Sequence, residues 1–136
     1  MLKIFLSSHG TLASGMKKSV EILAGVSSNL VTFDAYMDDE LLEDALRNFF
    51  EETSEYDDKV LLSDLYGGSV NQKMYLYLDR PNTYLIAGVN LALVLELLLQ
   101  ETVNEVYLNE LVEKSRKMLR IVHYDDEFES DEEDFL

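Results

Sequence analysis

The sequence predicts an α/β fold, a doubly wound, mainly parallel four-stranded sheet of order 2-1-3-4 with helices on both faces. Three observations support this. Short apolar or β-branched runs alternate with segments of helical period four times over. Short connections join them, as expected for right-handed crossovers between parallel strands. Polar, glycine-rich signals stand where the runs end, and in open parallel sheets that edge is where ligands bind.

The first run, Leu2 to Leu6, leads into Ser7-Ser8-His9-Gly10 and reads as a buried strand with His9 at its carboxyl end. Leu12, Met16, Val20 and Leu23 then recur at helical spacing, and Gly25 stands where a helix would stop. Asn29 to Phe33 reads as a second strand. Asp38-Asp39-Glu40 is expected to place acids in the first turn of a second helix, where they favour its dipole. Leu41, Leu42, Ala45, Leu46, Phe49 and Phe50 form that helix's buried stripe.

Lys59 to Ser63 is a third strand, ending at Asp64, and the turn Gly67-Gly68-Ser69 opens a helix to about Leu78. Asp79-Arg-Pro-Asn82 is a turn, followed by a fourth strand, Thr83 to Ala87, closed by Gly88. Asn90 caps a nearly all-apolar helix running to about Gln100. A last helix from Asn104 to about Leu119 carries a stripe of Leu108, Leu111, Val112 and Met118. Arg120 to Tyr124 has the composition of a short fifth strand.

The 136 residues, 47% of them hydrophobic, suffice for one domain with its own core. That domain is read over residues 1–122, and residues 123–136 as an acidic, solvated, disordered tail. The formal charge of −16 argues against nucleic acid and anionic membranes as partners. Residues 125–136 hold 8 of the 27 acids and no base, so the tail is the outlier. The absence of cysteine excludes disulfides and thiol chemistry and fits a reducing cytoplasm. The start has no basic region followed by an apolar one, so it does not read as a signal peptide. Leu91 to Leu99, interrupted by Glu96, is too short to span a bilayer.

With order 2-1-3-4 the topological switch lies between strands one and three, which end in His9 and Asp64. Ser8-His9-Gly10, Asp64 to Ser69 and Gly88-Val-Asn90 are therefore expected at one rim. A neutral imidazole is a competent nucleophile and can hold a phosphoryl group on nitrogen. It does so better when a carboxylate holds its other nitrogen as N–H, the role in which Asp64 is placed. Gly67 and Gly68 let a backbone approach an anion, and the helix start beyond them offers N–H groups. Ser69, with Ser8 or Thr11, supplies hydroxyl donors. Bland readings stand beside these: Asp64 as a turn cap, Gly67-Gly68 as a tight turn, Ser69 as an N-cap. His123 reads as a surface histidine, and Tyr124, Phe128 and Phe135 leave a docking role for the tail open. No acidic cluster in this constellation looks like a metal site, and no cofactor is expected.

Ser8-His9-Gly10-x-x-Ala13-x-Gly15, Asp64-Leu-Tyr-Gly-Gly-Ser69-x-Asn71 and Gly88-Val-Asn90-Leu91 together resemble the mannose-type IIA components of the bacterial phosphoenolpyruvate-dependent sugar phosphotransferase system. The resemblance covers roughly residues 1–118. It implies that His9 accepts phosphate from the histidine-containing phosphocarrier protein and passes it to a IIB component. Membrane IIC and IID subunits would be served indirectly. It also implies that Asp64 orients His9, that Gly67, Gly68 and Ser69 line the phosphate site, and that the chain is a homodimer, with a C-terminal strand open to exchange between subunits. Val70 and Ala92 stand where the family usually has proline, which bears on partner fit more than on phosphorylation. Two other readings share the fold: a non-catalytic regulatory module, and the phosphoryl-donor subunit for dihydroxyacetone kinase, against which Gly67-Gly68 speaks. A flavodoxin-like cofactor site lacks its Ser/Thr-rich loop after strand one, and a receiver domain lacks its paired acids.

Overall fold

In the computed structural model, which describes residues 1–25 and 27–128, strands and helices alternate as the periodicity predicts. The order is β1 (Leu2–His9), α1 (Leu12–Ala24), β2 (Leu30–Ala35), α2 (Leu42–Glu51), β3 (Asp58–Ser63), α3 (Ser69–Tyr75), β4 (Thr83–Ala87), α4 (Leu91–Leu97) and α5 (Glu105–Arg116). The sheet has the order β2-β1-β3-β4, and every pairing is parallel.

The two central strands are apolar on both faces, and period-two alternation divides their side chains between two cores. Leu2, Ile4 and Leu6 of β1 and Val60 and Leu62 of β3 face one side. They pack there with Ala13 and Val20 of α1, Leu93, Val94 and Leu97 of α4, and Leu108 and Leu111 of α5. Phe5 and its register partner Leu61 face the other side, against Leu42, Leu46, Phe49 and Phe50 of α2 and Val70 and Met74 of α3. Phe5 is fully buried, with its ring centroid 5.4 Å from that of Phe49. Burying one such side chain contributes about 1.5–3 kcal/mol.

Three local features differ from expectation. Helix α2 starts at Leu42, so the acids in its first turn are Glu43 and Asp44. Asp38 Oδ1 instead accepts the Glu40 N–H at 2.9 Å, a side-chain turn that competes with helix formation. Leu41 precedes the helix in an extended conformation and is 54% exposed, so it is not part of the stripe. Helices α3 and α4 end earlier than read, and each continues in tighter i→i+3 turns, such as Tyr77 N–H to Met74 O and Gln100 N–H to Leu97 O. Residues 120–124 form no strand in the single chain. They are exposed and lead into a turn in which Asp126 Oδ2 accepts the His123 N–H. The reading of the tail beyond residue 128 lies outside the described residues.

Asn90 caps α4 as its residue type predicts, accepting the Leu93 N–H at 2.9 Å, and its Nδ2 donates to Ser115 O at 2.8 Å near the end of α5. One side chain thus starts one helix and ties down another. Asn90→Ala is expected to destabilise the protein by about 1–3 kcal/mol. Urea unfolding should show a lower midpoint with an unchanged slope. A midpoint equal to that of the wild type would refute the assignment.

Candidate functional site

The site is built where β1 stops. The β1–β3 ladder ends at Ser7 opposite Ser63, and Ser8 opposite Asp34 and His9 opposite Ala35 carry pairing with β2 two residues further. Gly10 then donates to Ala35 O at 3.0 Å and turns the chain at φ +62°, a conformation in which glycine is unstrained. Ser8 Oγ, fully buried, accepts the Ala13 N–H at 2.7 Å and serves the first turn of α1. Asp34 clamps that helix to β2, accepting the Ser14 N–H at 3.0 Å and the Ser14 hydroxyl at 2.6 Å.

Beyond the last β1–β3 pair, the His9 N–H finds no strand carbonyl and donates to Asp64 Oδ2 at 2.9 Å. The same oxygen lies 2.8 Å from His9 Nδ1, while Oδ1 accepts the Leu65 N–H at 3.0 Å. Backbone and ring of one histidine thus share one oxygen, which fixes the ring's orientation. The Asp64 side chain is 9% exposed and that of His9 44% exposed. Burial alone would raise the Asp64 carboxyl pKa. The hydrogen bonds donated by His9's backbone and ring, with that of the Leu65 N–H, outweigh burial and hold the pKa below its usual value. An ionised carboxylate only accepts, so Nδ1 carries the proton and Nε2 of the neutral ring carries a lone pair.

On the opposite side of the ring, Ser69 Oγ lies 3.3 Å from Nε2, and the Tyr36 hydroxyl lies 2.6 Å from Ser69 Oγ. Gly68 passes close to the ring: a Cβ there would sit 3.3 Å from Leu65 Cβ and 3.8 Å from His9 Cε1. Gly67 adopts φ +76°, its N–H donates to Asn71 Oδ1 at 2.9 Å, and the Gly68 N–H donates to Leu65 O. Both glycine N–H groups are therefore used within the turn. What the glycines provide is the turn and the close approach.

His9, Asp64, Gly68 and Ser69 come together as read, and Gly67 shapes the loop behind them. Ser8 does not join them, because its hydroxyl is spent on α1. Thr11 is exposed, and its carbonyl accepts from the Gly15 N–H. Asn90 has the structural role described above. Tyr36 was missed. It follows β2, the one strand end without glycine, and its ring lies 5.2 Å from the His9 ring at 36°. The predicted order 2-1-3-4 already made β2 the neighbour of His9, which was the available signal.

Asp64's lowered pKa means that its ionised form contributes stability above the unfolded-state pKa, and that this is lost as pH falls through the folded-state value. Asp64→Asn is accordingly expected to cost about 1–3 kcal/mol at pH 7. In paired urea titrations, the difference from wild type should shrink as pH falls below the ordinary carboxylate range. A difference independent of pH would count against an ionised Asp64.

Comparison with known proteins agrees with this architecture. Residues 3–116 match the family model described as the PTS system fructose IIA component, the EIIA-man family. A Klebsiella pneumoniae protein assigned by name to a phosphoenolpyruvate-dependent sugar phosphotransferase system superposes with TM-score 0.79 at 26% identity, over 88% of this chain and 90% of that one. The Streptococcus pneumoniae PTS IIA protein associated with a fucose utilization operon gives 0.75 at 25% identity, over 88% and 92%. The mannose/sorbose-specific IIA subunit from Enterococcus faecalis gives 0.80 at 21% identity, over 93% and 98%, a likeness of fold. No match was found among curated protein sequences. The chain belongs to the EIIA-man family, the IIA phosphocarrier components of the sugar phosphotransferase system.

Proposed function

We propose that His9 is the residue that carries the phosphoryl group. One observation carries the reading: Asp64 holds Nδ1 as a donor, leaving the Nε2 lone pair unprotonated on a ring that is 44% exposed. In the transfer that lone pair forms a new N–P bond as the donor's N–P bond breaks, and the departing electron pair stays on the donor nitrogen. The Nδ1 proton stays in place, and Asp64 offsets the charge that the phosphorylated ring acquires. Passing the group on is the same step in reverse. Transfer between two imidazoles needs in-line positioning and donors for the equatorial oxygens. Ser69 supplies a hydroxyl there, and Gly67 and Gly68 shape the loop that presents it.

The donor is a histidine-containing phosphocarrier protein and the acceptor a IIB component, with the membrane subunits beyond it. Apolar side chains exposed at this edge, Leu12 at the start of α1 and Met37, Leu65 and Tyr66 on the loops, support docking of such partners. No helix among the described residues is long and apolar enough to cross a membrane, which accords with a cytoplasmic site of action. The chain acts as a homodimer. Strand β4 is an open edge bordered by a groove lined by Tyr75, Tyr84, Ile86, Leu108 and Val112. Residues 120–124 expose Ile121 and Val122, apolar positions suited to pairing with a second copy.

Incubation with phosphoenolpyruvate, the general phosphotransferase enzymes and the phosphocarrier should place an acid-labile phosphate on the wild type and none on His9→Ala. Asp64→Asn should be labelled more slowly, and deletion of residues 125–136 should leave labelling intact. Equal labelling of His9→Ala would overturn the site. Sedimentation should give a dimer that becomes a monomer when residues 119–136 are removed; a monomeric full chain would refute the dimer.

A further inference from the structure

Tyr36 stands at φ +67°, a left-handed conformation that is strained for a bulky side chain and is kept only where its surroundings impose it. Its side chain is more than half exposed, so core packing does not impose that conformation. Its hydroxyl meets Ser69 Oγ, its ring lies beside His9, and Lys73 Nζ, paired with Glu43 at 3.3 Å, stands 5.5 Å from the centroid of the Tyr36 ring.

The direction of this hydrogen-bond chain follows from Asp64. Nδ1 donates to the carboxylate, so Nε2 of the neutral ring can only accept, and the Ser69 hydroxyl must donate to it. With its proton committed, Ser69 Oγ is left as acceptor for the Tyr36 hydroxyl at 2.6 Å. The order is Tyr36 O–H to Ser69 O–H to His9 Nε2.

We propose that Tyr36 is a positioning residue for phosphoryl transfer, acting through Ser69; the proposal rests on His9 being the carrier. At rest the relay holds the Ser69 hydroxyl on the nucleophilic lone pair. When Nε2 bonds to phosphorus that lone pair is consumed, and the Ser69 hydroxyl turns to a phosphoryl oxygen beside it. The Tyr36 O–H stays on Ser69 Oγ throughout, polarising it as a donor and limiting its rotation. No proton leaves either hydroxyl, and the only bonds exchanged are the two N–P bonds.

Tyr36→Phe removes the hydroxyl and keeps the ring. Labelling is read with two donors, the phosphorylated carrier protein and phosphoramidate, a small donor that leaves as ammonia and needs no docking surface. Tyr36→Phe is expected to slow labelling about three- to tenfold with both donors, and to add nothing in a Ser69→Ala background. Slowing with the protein donor alone would make Tyr36 a docking residue and overturn the proposal, as would full additivity with Ser69→Ala. A second measurement needs no phosphate: NMR of the labelled His9 imidazole nitrogens. The Nε2 resonance should move in Tyr36→Phe in the same direction as in Ser69→Ala, and an unmoved resonance refutes the relay. Absence of label on the wild type with either donor would sink the carrier reading and the rate claim with it, while the Nε2 resonance still decides for or against the relay.

Discussion

Asp64 accepts three N–H groups on two oxygens, and two of the three belong to His9. The arrangement exists because the β1–β3 ladder ends two residues before His9, leaving a strand N–H that needs a partner as the chain turns away. A carboxylate at the end of the adjacent strand meets that need and orients the imidazole with the same atom. Ring orientation, tautomer, the open Nε2 and the sense of the chain through Ser69 and Tyr36 all follow from this one group. The charge stays ionised although nearly buried, because donated hydrogen bonds replace the water it has lost.

The sheet beneath holds this geometry steady. Central strands buried on both faces cannot slip by one residue without exchanging their two cores, so the β1–β3 register that brings His9 to Asp64 is locked by Phe5 and Leu61 on one side and by Ile4, Leu6, Val60 and Leu62 on the other. Polar side chains near the edge then finish the local work. Ser8 and Asp34 anchor the start of α1, and Asn71 holds the glycine turn through the Gly67 N–H and Ser63 Oγ. Side chains that look interchangeable in sequence thus divide into those that build the edge and those left facing solvent.

The edge strands behave differently from the centre. β2 is exposed at Val31 and β4 is only half-buried along its length, although both reach the two cores, through Leu30 and Ala35 of β2 and through Ile86 and Leu85 of β4. The apolar residues past α5 join no strand among the described residues, although their composition suits one.

The alternation of strands and helices, the strand order, the cap at Asn90, and the meeting of His9 with Asp64 and Ser69 are legible in the sequence, because hydrophobic period and turn chemistry are local and the switch-point rule turns order into proximity. Only the tertiary structure decided which hydroxyls face the ring. Ser8 and Ser69 are the same residue type beside glycine turns, yet a buried helix N–H claims one and leaves the other at Nε2. It also decided that the glycine N–H groups serve their own turn, and that Leu41 stands outside its helix. Tyr36 depended on it most of all. No local pattern marks a tyrosine after a strand, and its place beside His9 arises from the pairing of β2 with β1 and from a backbone conformation that sequence does not display.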